Sequence, residues 1–287
     1  MTPPIRRLER VMGTVITVDV FPPPAASEAT DAAASEGADA AWAADLQRRF
    51  ALASTVLEHA DEVFSTWRPD SPVSRLRRGD ITIAAAPPEV AEVMRACGTA
   101  RQLSGGWFDP WAMPGGFDPT GYVKGWAAER ALATFSDLPM SGALVNAAGD
   151  IASVGVQPSG APFRIGIADP REPRQLAEIV ELTGCIATSG TYERGSHLID
   201  PRSGQPAARV ASASVTGPDL GLADALATAV AVAGQAALAL VEAVPGYEAL
   251  IIGFDGRRQW TSEFPLATAT PATPASPATG TASARAC

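Results

Sequence analysis

Apolar positions along the chain follow two periods, and these divide it into strands and helices. "VMGTVITVDVF" (11–21) alternates apolar and polar residues, as a half-buried strand does. A Pro/Ala/Ser/acidic stretch follows and reads as a loop. The pattern then changes to an approximate 3.6 period. Trp42, Leu46, Phe50, Val56 and Phe64 mark a helix from about Ala40 to Phe64. "STWRPDSPVSRLRRGD" reads as a loop and a helical turn. "PPEVAEVMRACGTARQLSGG" is a second helix, with Pro at its start and Gly at its end.

"WFDPWAMPGGFDPTGYV" is rich in Gly, Pro and aromatic residues and predicts an irregular loop. "KGWAAERALATF" starts a third helix. "GALVNAAGDIASVGV", "PFRIGIADP", "LAEIVELTGCIATSG", "VASASVTGP" and "YEALIIGFDG" read as strands, and "HLIDPRSGQP" as a strand end and turn. "LADALATAVAVAGQAALALVEAV" is a long apolar helix. From Leu266 the chain is low-complexity Ala/Thr/Pro/Ser and is expected to be disordered. The order of elements predicts an α+β (mixed α/β) single domain rather than a Rossmann fold. G-x-G-x-x-G and Walker A motifs are both absent. The expected boundaries are an N-terminal segment 1–10, a domain 11–265 and a tail 266–287.

Composition narrows the function classes. The 287 residues are 46% hydrophobic and 18% charged, as in a soluble globular chain with ample core. The net charge of −9, with no basic stripe, excludes nucleic acid as the expected partner. An acidic chain that binds a polyanion needs a metal ion, a lysine or a helix N-terminus to do so. Cys97, Cys185 and Cys287 form no CxxC, which argues against a structural zinc site or a disulfide framework. No signal peptide or membrane anchor is legible, so the expected setting is the cytoplasm. The 222–241 helix reads as too weakly apolar, and too interrupted by Gly234, to span a membrane.

Within the long helix, Asp224 and Thr228 lie four residues apart and share a face. Two readings stand open: a helix cap with a back-bonded threonine, or two oxygen ligands for a hard cation. Lys124 opens a helix after a Gly-rich loop, either to meet phosphate or as a solvated surface residue. Trp67, Trp107 and Phe108 are candidates to stack on a flat ring, with core packing as the other reading. His197 is either a general base or a structural residue.

The ordered set "MGT", "STW-RPDS", "GWFDP", "FDPTGYVKGWAAE", "VNAAGD", "ATSGTYER", "HLIDPRSG" and "ADALAT" resembles the ApbE family of FAD:protein FMN transferases, from about Val11 to Phe254. The resemblance implies a T-fold-like domain with mixed sheets and packed helices. It also implies Mg²⁺-dependent cleavage of FAD, transfer of FMN to a threonine of a target flavoprotein, and release of AMP. By the same resemblance Asp224, Thr228 and the Gly121 carbonyl hold Mg²⁺. Met12 and Trp67 (in place of the usual Tyr) flank the flavin. Trp107, Phe108, Asp109, Asp118, Lys124 and Ile199 match further FAD-binding positions, and His197 matches the residue that deprotonates the acceptor. The chain departs from the family pattern in its short segment between Asp109 and Asp118, in Ala148 where the family has Gly, and in lacking a lipobox. Two other functions share the same residues: FAD pyrophosphatase activity and flavin binding without turnover.

Overall fold

The computed structural model describes residues 3–24, 32–190 and 198–268, with side chains in the second stretch from residue 37 onward. Eight strands form the main sheet, in the order β1-β2-β3-β4-β7-β10-β11-β12. They are β1 (Ile5–Val11), β2 (Thr14–Phe21), β3 (Gly142–Ala147), β4 (Asp150–Gly155), β7 (Cys185–Gly190), β10 (Ser212–Gly217), β11 (Glu248–Ile252) and β12 (Arg258–Trp260). A separate ribbon pairs β5 (Phe163–Asp169) with β6 (Glu172–Leu182). A short one pairs β8 (Ile199–Asp200) with β9 (Gln205–Pro206).

Every described pairing is antiparallel, so the sheets expected to be mixed are not. The α+β class stands. The cause is local: β1-β2 and β3-β4 are joined by two-residue turns, a connection that only antiparallel neighbours allow.

The sheet separates two cores. On one face lie α1 (Ala32–Phe64), α3 (Pro88–Leu103), α4 (Thr120–Ala133) and α5 (Leu220–Ala233), with α2 (Pro72–Arg78) beside α1. The short α6 (Leu238–Glu242) follows α5. α1 buries Leu46, Phe50, Ala53, Leu57, Ala60 and Phe64, each three or four residues after the last. It begins well before the expected Ala40, because the Ala-rich approach has strong helix propensity. The other face is covered by the β5-β6 ribbon, where Phe163, Val180 and Leu182 pack on Ile151, Ile186 and Leu250.

The ordered part reaches beyond 11–265 at both ends. Residues 5–10 pair with β2, and Leu266 bridges to Val180 and packs on the second core. Residues 269–287, the rest of the expected tail, lie outside the described residues.

The segment Leu220–Glu242 is more apolar than its alanines suggested. Its mean hydropathy is 1.7, high enough for a membrane span by composition, yet 67% of that window is buried in the protein. It is the central core helix. α4 packs on it so closely that a Cβ on Gly125 would lie 2.5 Å from the Leu220 carbonyl oxygen.

Candidate functional site

Several polar groups gather at one end of the sheet, on its helical side. The turns Met12-Gly13 and Ala148-Gly149 close neighbouring hairpins there, since Ile16 pairs with Ala147. Both turns need positive φ: 54° at Met12, 69° at Gly13, 54° at Ala148 and 97° at Gly149. Met12 and Ala148 are the only non-glycine residues with positive φ among those described, a conformation that costs a side-chain-bearing residue free energy.

α5 crosses above this end. Its N-cap is Asp219, whose Oδ1 accepts the Leu222 N–H at 2.6 Å. Asp224 therefore does not cap the helix, and that reading of the residue falls. Asp224 is 5% exposed, deep in an apolar helix. Thr228 Oγ1 lies 3.2 Å from Ser189 Oγ at the end of β7, so its hydroxyl faces across to the sheet. The two oxygen-bearing side chains share one face of α5, as their spacing predicts.

α4 meets them at its first turn. Gly121 has φ −81° and ψ 19°, which kinks the helix and turns the Gly121 carbonyl away from the helical direction. A Cβ there would come 3.3 Å from the Phe108 ring and 3.5 Å from Thr228 Oγ1. The backbone at Gly121 thus lies directly against the Thr228 hydroxyl. Asp224, Thr228 and the Gly121 carbonyl would together offer a hard, oxygen-only donor set. That suits Mg²⁺, which keeps waters and substrate phosphates in its shell and needs few protein ligands. Among the described residues no three His, Cys, Asp or Glu side chains cluster for a metal. The Cys97 thiol of α3 lies near the Asp224 carboxylate. Burial, and then the nearby Asp224 and Asp118, push it up to about 12.

Lys124 is one turn further along α4. Its Nζ pairs with Asp150 Oδ2 at 2.5 Å, and the Asp150 side chain is fully buried. Asp150 Oδ1 accepts the Thr188 N–H at 3.1 Å. Lys124 is therefore no solvated surface residue, and its charge is shared with a buried carboxylate.

The other expected residues divide into walls and edges. Phe108 is buried, its ring against Gly121. Trp107 is 8% exposed, with the Arg202 guanidinium 3.5 Å over its ring and that of Arg209 at 5.4 Å. One ring face is thus taken by arginine, and Trp107 acts as a wall rather than a free stacking platform. Asp109 Oδ2 binds Arg101 Nε at 2.6 Å, and its Oδ1 accepts the Trp111 N–H. Asp118 Oδ1 accepts the Thr120 N–H at 3.1 Å, at the start of α4. Ile199 sits half-buried in β8, paired with Pro206. Met12 lines a groove of about 540 Å³ with Arg10, Gly13, Thr14 and Asp61. Trp67, at the end of α1, is 92% exposed. His197 lies outside the described residues.

The sequence reading missed Ser189 and Asp150 as partners of Thr228 and Lys124. The signal for both was a polar side chain where an otherwise apolar strand turns to face a helix.

Residues 12–115 and 112–251 match the model of the ApbE family. The chain belongs to the ApbE family. Its relatives include the FAD:protein FMN transferase of Rhodobacter capsulatus, 31% identical over 207 residues, which cover 67% of this chain and 36% of that protein. The FAD:protein FMN transferase of Vibrio cholerae serotype O1 is 34% identical over 124 residues, 39% of this chain and 37% of that protein. The chain thus spans little more than a third of these curated relatives. Among solved structures, the flavin transferase ApbE from Vibrio cholerae superposes with a TM-score of 0.73 at 21% identity, covering 91% of this chain and 98% of that one. The ApbE protein from Thermotoga maritima gives 0.73 at 21% identity, covering 91% and 97%. At that identity the likeness establishes the ApbE fold.

Proposed function

We propose that the protein is an Mg²⁺-dependent FAD:protein FMN transferase. It joins FMN from FAD to a threonine hydroxyl of a target flavoprotein and releases AMP. The observation that carries the reading is the Thr228 hydroxyl of buried α5, one helical turn from the buried Asp224, lying against the kinked Gly121 of α4. The curated relatives bearing that activity in their names support it.

In this reading Asp224, Thr228 and the Gly121 carbonyl hold Mg²⁺. Bound there, the ion supplies the positive charge that neutralises the pyrophosphate and the leaving AMP. Lys124, fixed by Asp150, adds a cation at the phosphate side. Asp109, Asp118, Trp107 and Phe108 shape the wall behind it, and Ile199 contributes backbone. Met12 borders the groove that receives the flavin ring, and Trp67 is assigned to stack on that ring. The acceptor hydroxyl forms a bond to the FMN-side phosphorus. The bond from that phosphorus to the bridging oxygen breaks, and AMP carries the oxygen away. His197 is assigned the hydroxyl proton. A cytoplasmic setting belongs to the same proposal, supported by the free, buried thiols of Cys97 and Cys185. Cell fractionation tests it.

The decisive experiment incubates the protein with FAD, Mg²⁺ and flavoproteins from the same genome. Covalent flavin is read by fluorescence in a denaturing gel and AMP by chromatography. Both signals, lost with chelator, are expected. AMP without labelled acceptor assigns a pyrophosphatase, and neither signal with retained FAD assigns a flavin-binding protein.

A further inference from the structure

Arg77 lies in the last turn of α2, far in sequence from α4, with its side chain only 15% exposed. Its Nε donates to the Gly115 carbonyl at 3.1 Å and its Nη2 to the Pro114 carbonyl at 2.6 Å. Its Nη1 reaches Asp118 Oδ2 at 3.5 Å. All three acceptors belong to the short loop between α3 and α4. The loop backbone rests directly on the guanidinium, for a Cβ on Gly115 would lie 2.7 Å from Arg77 Nη2, and Gly115 also holds φ 82°.

Both ends of this link are anchored. α2 is tied to the end of α1: Ser71 Oγ accepts the Ser74 N–H at 3.0 Å, and the Ser71 and Ser74 hydroxyls both donate to the Ser65 carbonyl. At the far end Asp118 Oδ1 accepts the N–H of Thr120, the residue before Gly121. The loop itself is closed by the Asp118 N–H on the Pro110 carbonyl at 2.8 Å and by the Trp111–Phe117 ring contact. Arg77 thus connects the rigid α1-α2 corner to the residue pair that sets the first turn of α4.

We propose that Arg77 is a positioning residue: it holds the 110–118 loop so that α4 begins with the Gly121 carbonyl aimed toward Thr228 and Asp224. The inference rests on the proposed Mg²⁺ site for its functional consequence. A planar guanidinium offers several donors in a fixed fork, so it can satisfy three acceptors at once, whereas a lysine ammonium is a point charge on a flexible stem. The loop has eight residues between Asp109 and Asp118 and no secondary structure of its own, and this fork ties it to α2.

The test uses the full chain with Arg77→Ala, Arg77→Lys and Gly115→Ala. In the metal-free Arg77→Ala protein, amide hydrogen exchange across residues 111–121 accelerates by about tenfold or more, while exchange in β10 and α5 is unchanged. The Mg²⁺ concentration for half-maximal AMP release from FAD rises about 10–100-fold, the usual cost of losing a group that orients a metal ligand. Turnover at saturating Mg²⁺ returns to within about threefold of wild type, because the ligands themselves remain. Gly115→Ala, which pushes the loop off an intact arginine, gives the same pattern, and Arg77→Lys falls between. Unchanged exchange across 111–121 overturns the proposal, as does a normal Mg²⁺ requirement in a folded Arg77→Ala protein. A wild-type protein that releases no AMP defeats the proposed function separately. Exchange across 111–121 in the three variants then decides alone whether Arg77 holds the start of α4.

Discussion

The two ends of the candidate site are built in opposite ways. Where α4 meets α5, Asp224 is buried and Lys124 is paired with a fully buried carboxylate. At the hairpin end, Met12 borders an open groove and Trp67 stands 92% exposed. The first region is held by contacts within the protein. The second has an aromatic side chain with almost no packing, which a ligand would have to order. Under the proposed function, the phosphate end is preorganised for the charge that develops there, and the ring end follows the substrate. Preorganisation belongs where charge changes in the reaction, because fixed groups need no rearrangement in the transition state.

The largest effect that could break this contrast is at Asp224. Asp224→Ala should lower AMP release by about 10²–10³-fold, since metal charge stabilisation is worth several kcal/mol. The fold should persist, as judged by circular dichroism. Activity within about twofold of wild type would remove the metal assignment.

The next effect is on stability rather than rate. Lys124→Met leaves Asp150 buried without its cation and should cost about 3–5 kcal/mol in urea unfolding. Lys124→Met with Asp150→Asn should regain most of that loss. If the single variant is as stable as wild type, the pair is not part of the framework, and the phosphate end is less rigid than argued.

Trp67→Ala should show the opposite signature. With so little of the ring packed, unfolding free energy should stay within about 0.5 kcal/mol of wild type. The KM for FAD should rise about five- to tenfold, the loss expected from one aromatic stack. A clear loss of stability with unchanged KM would mean that Trp67 packs in solution and does not meet the flavin.

The same contrast explains what the sequence made legible. Asp224 and Thr228 were visible because helical spacing puts them on one face without help from the rest of the fold. Gly121 could be reached only through the family resemblance, since no local pattern marks its backbone kink. The Lys124–Asp150 pair was hidden, because the partners are far apart in sequence and meet only when α4 packs on β4. Trp107 and Trp67 looked alike as aromatic residues beside loops. The difference between them, arginine cover against open water, is set by β8-β9 and by the end of α1, whose positions no local pattern encodes. The strands were legible one by one from their alternation. The departure of β5-β6 to cover the far face of the sheet was not, because their apolar residues suit either face.

The smallest expected effect concerns pH, and it sharpens how far the buried region extends. Glu129 of α4 lies at the N-terminus of α5, where its Oε1 accepts the Leu220 N–H at 2.8 Å. Burial, opposed by that hydrogen bond and reinforced by Asp219, raises its carboxyl from 4.5 to about 7. The folded chain therefore holds this proton more tightly than the unfolded chain does. The resulting stability is fully present below about pH 4.5 and is lost as pH rises through 7. Glu129 is partly open to water, so screening leaves only a modest effect, on the order of 1 kcal/mol. For a chain of this size that corresponds to a fall in melting temperature of about 2–3 °C across the window. Glu129→Gln keeps an oxygen for the Leu220 N–H but cannot titrate, so the difference between its melting curve and that of wild type should isolate this carboxyl. Wild type and Glu129→Gln should run parallel above pH 7 and diverge by those few degrees between pH 5 and 7. Parallel curves throughout would place Glu129 in ordinary solvent and end the rigid region at Lys124–Asp150, short of the α4-α5 crossing.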